Sequence, residues 1–482
     1  MNALDKELKE QAYAEIEKHK GLVDSDPYRL HYHIMPPVGL LNDPNGFIHW
    51  KGTYHLFYQW MPFKTGHGAK FWGHYSSPDL VNWTHEEIAL APSDWFDKNG
   101  CYSGSAIEDS GKLYVFYTGN VKDEQNNRET YQCMAVSEDG LHFEKKGVVA
   151  TLPEGYTAHF RDPKVWKKEN SWYMIVGAQS LQLDGKAVLF RSRDLMEWEH
   201  LGDIAGGNSK RLGYFGYMWE CPDLFELNGR DVLIVCPQGL KPEGMLYQNV
   251  YQAGYFVGKL DSEKAEYSHG DFTELDRGFE FYAPQTMLDA KGRRLLVAWM
   301  GVPEQQEDQQ PTIAHKWVHA MTIPRQLSLM EGKLYQQPIE ELNQLRKNEV
   351  AYDKVRLNSQ ELELDQVRGK SIELWIQDIG YEERSVEVCF RNEVRFIYHP
   401  KEKLATLERK SFVNGLTEAR HCRLDDLSSL QIYLDASSIE IFVNGGEEVF
   451  TSRIFAYPEN ESVSFSTKGL FQFHVKKWDL MY

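Results

Sequence analysis

The sequence lacks any run of 18 apolar residues, so no helix of this chain is expected to cross a membrane. Its first 20 residues, MNALDKELKEQAYAEIEKHK, carry a charge every few positions and no apolar stretch. They read as an amphipathic helix with Leu4, Leu8, Tyr13 and Ile16 on one face, not as a secretory signal. The six cysteines (101, 133, 221, 236, 389 and 422) form neither a CxxC pair nor a dense framework. Reduced thiols in a cytoplasmic protein are the expectation. Low-complexity tracts are missing as well. Positive charge is scarce: 53 Lys and Arg against 71 Asp and Glu leave a formal net charge of −18. That balance disfavours nucleic acid and anionic membranes as partners, and an anionic ligand would need a local cluster of cations. The 17 histidines show no metal-ligand spacing.

What is present is a repeat. Apolar-aromatic strands recur at TYHLFYQW from Thr53, KLYVFYTG from Lys112, SWYMIVGA from Ser171, DVLIVCPQ from Asp231 and RRLLVAWM from Arg293, at intervals of 59, 59, 60 and 62 residues. Each follows a turn signal and another β-like stretch, so each is half of a hairpin. A Ser–Asp-turn–aromatic motif (SSPDLVNW, SEDGLHF, SRDLMEW) trails three of them at a similar distance. With 482 residues, one core is not enough. The reading is an all-β protein: a five-bladed β-propeller followed by a β-sandwich. Residues 1–28 form the helix and lead-in, 29–335 the propeller, 336–352 a linker helix, and 353–482 the sandwich.

In a propeller the innermost strands line a central funnel, so residues at their entrances converge. Those entrances read LLNDPNG, CYSGS, FRDPKVW, WECPDLF and FYAPQT, contributing Asp43, Asp162 and Glu220. Alone, DPNG is a good turn sequence and nothing more. Register changes its weight: Asp43 and Asp162 each precede a hairpin Tyr (Tyr54, Tyr173) by 11 residues, which suggests equivalent places in their blades. Two carboxyls across a glycosidic bond suffice to break it, one attacking and one protonating the leaving oxygen. Glu220, between Trp219 and Cys221, is expected to be desolvated and suits the acid. Asp43, beside Asn42 and turn amides, suits the nucleophile, and Arg161 would keep Asp162 charged. The aromatics Trp50, Trp72, Trp219 and Tyr282 suit a sugar. Cys221 either tunes the acid beside it through a weak S–H contact or is buried packing, with packing the preferred reading.

NDPNG at 42–46, RDP at 161–163 and EC at 220–221 resemble the motif set of glycoside hydrolase family 32, the invertases and fructan hydrolases. WGHYSSPDLVNW, YSGSA, PRQL and SSIEIFVNGG add to the likeness, which covers nearly the whole chain from about residue 29. The resemblance implies a retaining β-fructofuranosidase with Asp43 as nucleophile, Asp162 as transition-state stabiliser and Glu220 as acid/base. Asn42, Gln59, Tyr102, Ser103 and Arg161 stand where the family binds fructose; Trp72 and Tyr282 join them as substrate-binding candidates. No metal or organic cofactor is implied. HIMPPVGLLNDPNG, GHGAKFWGHY and FGYMWECPDLF have the character of bacterial members acting on 6-phosphorylated sucrose, with free sucrose as the other substrate. His67, Lys70, Lys210, Arg211 and Arg277 are the candidates for the phosphate. An inverting propeller glycosidase on pentose polymers and a non-catalytic sugar-binding propeller are the competing readings. The expected partner is a small sugar, and the expected state a monomer or homodimer.

Overall fold

The computed structural model describes residues 2–208 and 212–481. The five hairpins open five antiparallel sheets, whose innermost strands are Gly39–Trp50, Cys101–Asp109, Tyr156–Lys168, Met218–Leu227 and Tyr282–Leu288. The ring closes without a covalent link. Trp317–Val318, between the second and third strands of the fifth blade, pairs in parallel with Gly39–Leu40 of the first blade. The N-terminal helix, Ala3–Asp24, starts at Asn2, whose side chain accepts from the Asp5 amide at 2.8 Å. It buries Asp5, Ala12 and Val23, with Leu8 and Ile16 partly covered. Leu4 is exposed instead.

Every innermost strand carries a bulge at the same level of the funnel. Two residues face one on the neighbouring strand: Asn42–Asp43, Tyr102–Ser103, Asp162–Pro163, Cys221–Pro222 and Ala283–Pro284. A regular strand alternates its side chains between faces, whereas a bulge lets sequence neighbours share one. Three of the bulges end in Pro, which has no N–H to leave unpaired there. Their first residues, Asp162, Cys221 and Ala283, hold φ of 70°, 48° and 48°, a left-handed backbone that costs non-glycine residues on the order of 1–3 kcal/mol each. The equal 11-residue spacing proves misleading by one position. Asp43 is the second residue of its bulge and Asp162 the first, because the first blade carries another bulge between Asn45 and Ile48. Gly104 follows the second bulge where the strands nearly touch: a Cβ there would sit 1.8 Å from the Phe116 carbonyl oxygen.

The fifth blade runs on to Pro338, a 3-10 turn spans Glu340–Leu345, and the strand Arg346–Asn358 already belongs to the sandwich. The expected linker helix is therefore one short turn; Leu342 and Leu345 are its buried face. Two six-stranded sheets enclose an aliphatic-aromatic core that includes Leu374, Ile432, Ile441, Val388, Phe396 and Phe465. Buried charge joins the sandwich to the propeller. Arg325, fully buried in the PRQL stretch, donates to Asp276 at 3.1 Å, Gln336 at 2.9 Å, Glu440 at 2.6 Å and Thr451 at 2.7 Å. Arg325→Met strands two buried carboxylates and is expected to cost about 3–5 kcal/mol. Thermal and urea unfolding check this; a midpoint matching the wild type would deny the network any stabilising part.

Candidate active site

The funnel opens into a cavity of about 780 Å³. Two of the bulges explain part of its chemistry, since Asn42 and Asp43 both line it, as do Tyr102 and Ser103; Arg161 and Asp162, just before and at the third bulge, line it too. Glu220, Gln59 and Tyr282 line it as well.

Asp43 accepts from the Ser103 hydroxyl at 2.5 Å and the Asn42 amide at 3.0 Å. Its carboxyl opens to the funnel yet is enclosed elsewhere. Burial pushes it above the usual carboxylate range, Ser103 pulls it back, and the charge on Glu220 adds to the rise. Asp162 accepts from the Cys221 amide at 3.0 Å. Burial raises it well above the carboxylate range against the pull of Arg161, with Glu220 and Asp43 adding. Arg161 acts on Asp162 through its charge alone and does not offset the burial; its guanidinium hydrogen bonds go to Glu220. Nη2 and Nε donate to Oε1 at 2.6 and 3.0 Å. Tyr282 and Gln238 donate to Oε2 at 2.7 and 2.8 Å. The surroundings of Glu220 are thus polar, not apolar. Trp219 points the other way, packing on Phe215 and Phe256.

Cys221 is more than packing. Its thiol lies 3.8 Å from Asp43 Oδ2 and 3.6 Å from Asp162 Oδ2, and burial with those two charges keeps it protonated. The arrangement places three acids, one shared thiol and one guanidinium around a single opening. It can attack, protonate and hold positive charge in one place.

Some expected residues stand elsewhere. Trp72 is fully buried behind the wall and donates to the Tyr102 carbonyl at 3.0 Å, so it supports Tyr102 and does not face the cavity. Trp50 is buried too, under the Lys51 ammonium. Lys70 lines the cavity from below, donating to Asn42 Oδ1 at 2.7 Å; burial lowers its pKa to about 7 against the pull of Asp43. His67 faces both carboxylate oxygens of Glu307 at 3.1 Å. Arg277 is outside the cavity, paired with Glu448 at 2.8 Å and Glu274 at 3.0 Å where the sandwich docks. Lys210 and Arg211 lie outside the described residues. The sequence reading missed Asn99, Asn120, Lys122, Arg128, His159, Tyr217, Gln238, Tyr251 and Glu304, all in the lining. Most stand at the outer ends of second and third strands, or just before an entrance motif. A polar residue ending an apolar strand, as in YTGNVK or IVCPQ, is the only trace they leave.

The model of the glycosyl hydrolases family 32 N-terminal domain matches residues 33–338, and that of the family 32 C-terminal domain residues 341–479. The chain is 58% identical over 481 residues to the sucrose-6-phosphate hydrolase of Bacillus subtilis (strain 168), covering 100% of both chains. Among solved structures it is similar to sucrose-6-phosphate hydrolase from Lactobacillus gasseri, with a TM-score of 0.87 and 32% identity over 97% of this chain and 96% of that one. It is similar also to a mutant Bombyx mori β-fructofuranosidase in complex with sucrose, with a TM-score of 0.85 and 32% identity over 98% of each.

Proposed function

The chain belongs to glycoside hydrolase family 32, and from that premise we propose that it hydrolyses sucrose 6-phosphate to fructose and glucose 6-phosphate with net retention. The observation that carries the reading is the convergence of Asp43, Asp162 and Glu220 on one cavity in a chain similar end to end to a sucrose-6-phosphate hydrolase.

Asp43 attacks the fructose anomeric carbon, the bond to the glucosyl oxygen breaks, and Glu220 gives that oxygen its proton. A fructosyl ester of Asp43 results. Glu220, now a carboxylate, takes a proton from water, which attacks the same carbon and releases Asp43. Two displacements at one carbon return its original configuration. Asp162 holds sugar hydroxyls and favours the positive charge that develops in both transition states. Asn42, Gln59, Ser103, Tyr102 and Arg161 fix the fructose, with Lys70 orienting Asn42 from behind. A phosphorylated substrate fits action in the cytoplasm.

Comparing kcat/KM for sucrose 6-phosphate, sucrose, raffinose and inulin tests the substrate, and early proton NMR of the released fructose tests the stereochemistry. Sucrose 6-phosphate is expected to lead, with the retained anomer formed first. An inverted first product would replace this mechanism by single displacement. No fructose from any of the four would leave only a sugar-binding propeller.

A further inference from the structure

If the substrate carries a phosphate, the cavity must offer it cations, and of those named from the sequence the ones among the described residues are already engaged. His67 is spent on Glu307, Lys70 on Asn42 and Arg161 on Glu220. The His159 ring nitrogen Nδ1 faces Arg161 Nη1 at 3.0 Å. Two lining cations remain without an ion pair or side-chain hydrogen bond among the described residues: Lys122 and Arg128. They are direct cross-strand partners at the end of the second blade's hairpin.

Like charges opposite each other in an antiparallel pair are destabilising. Among the described residues neither makes an ion pair with an acid. Asp123, next in sequence to Lys122, closes the turn: its Oδ1 accepts from the amides of Gln125 at 2.9 Å and Asn127 at 2.7 Å, and its Oδ2 from the Asn127 side chain at 2.8 Å. The Arg128 guanidinium is 5.6 Å from the centre of the Tyr102 ring, which anchors it over the wall. The charge of Arg128 also reaches His159, whose pKa falls to about 4 through burial, Arg161 and Arg128. The lining also includes the acids Glu304 and Glu307, the latter facing His67. Thr118 faces the bulge of Tyr102–Ser103, and Lys122 is four residues further along that strand, about 13 Å at ~3.3 Å per residue.

We propose that Lys122 and Arg128 form the subsite for the phosphate monoester of the glucosyl unit, and so set the preference for phosphorylated over free sucrose. The inference rests on the proposed substrate. Arg128 suits two phosphate oxygens at once, and Lys122 supplies a compact second charge. Asn120 stands in the same wall, its side-chain amide donating to the Asn99 carbonyl at 3.1 Å.

The test is the ratio of kcat/KM for sucrose 6-phosphate to that for sucrose, in wild type, Lys122→Ala, Arg128→Ala, Arg128→Lys and the double alanine variant. Each single alanine is expected to lower the ratio about tenfold or more, chiefly through KM for the phosphorylated substrate, and Arg128→Lys to recover part of it. Glucose 6-phosphate should inhibit the wild type more strongly than the variants. A wild-type preference that the double variant keeps overturns the subsite alone. Equal losses on both substrates overturn it too, by making the pair wall structure. No wild-type preference removes the proposed substrate and this inference together. Inorganic phosphate inhibiting as well as glucose 6-phosphate would mark a free-anion site and overturn the ester assignment.

Discussion

Asp43→Asn is expected to lose at least about four orders of magnitude in kcat on any β-fructoside, because the fructosyl ester cannot form without its carboxylate. The substitution is nearly isosteric, and the Ser103 hydroxyl can still donate to the remaining oxygen. Stability should move the other way. Burial and Glu220 raise the Asp43 pKa above its unfolded value, so at neutral pH the ionised group weakens the fold, and removing its charge should raise the thermal midpoint. Loss of activity together with loss of stability would instead mean a disrupted funnel. The same raised pKa sets a sign for the wild type. In the proposed mechanism only the carboxylate attacks, so kcat/KM should fall as pH drops through a value above the ordinary carboxylate range. An acid limb at or below that range would contradict the enclosed setting of Asp43.

The fold was legible because a propeller repeats. Five similar hairpins expose a period that no single strand carries, and the first-strand entrances fall at that period. Acids at those entrances could thus be placed in one funnel before any contact was known. Side-chain direction was not legible. Sequence adjacency put Arg161 beside Asp162, but the bulge at Asp162–Pro163 sends the two side chains to different partners, and Arg161 reaches Glu220 in the next blade. The same limit hid the role of Trp72, whose strand alternation places it behind Tyr102. It also hid Lys122 and Arg128, which sit on outer strands with no motif around them. Arg325 shows the converse: PRQL was legible as a family motif, and its place in the domain interface came only from the packing.

Glu220→Gln is expected to cost about 10²–10⁴ in kcat, with a dependence on the leaving group that Asp43→Asn should not show. A poor leaving group such as a glucosyl oxygen needs the proton; a substrate with an acidic leaving group needs it little in the first step. For such a substrate the fructosyl ester should form and then persist, since no base activates water. Azide bypasses that step. It needs no proton removed, attacks the anomeric carbon, and expels Asp43 to give a β-fructosyl azide of retained configuration. Rescue by azide in Glu220→Gln with retention, and its absence in Asp43→Asn, would assign the two carboxyls separately. The amide also disturbs the groups around it. Tyr282 and Gln238 both donate to Oε2, so an amide nitrogen at that position leaves donors facing a donor, while Arg161 loses the anion that balances it. Glu220→Ala removes the first conflict, and the two variants should agree on azide rescue even where their KM values differ. Disagreement there, with rescue in only one, would locate the defect in the Arg161–Tyr282–Gln238 cradle and not in the missing proton.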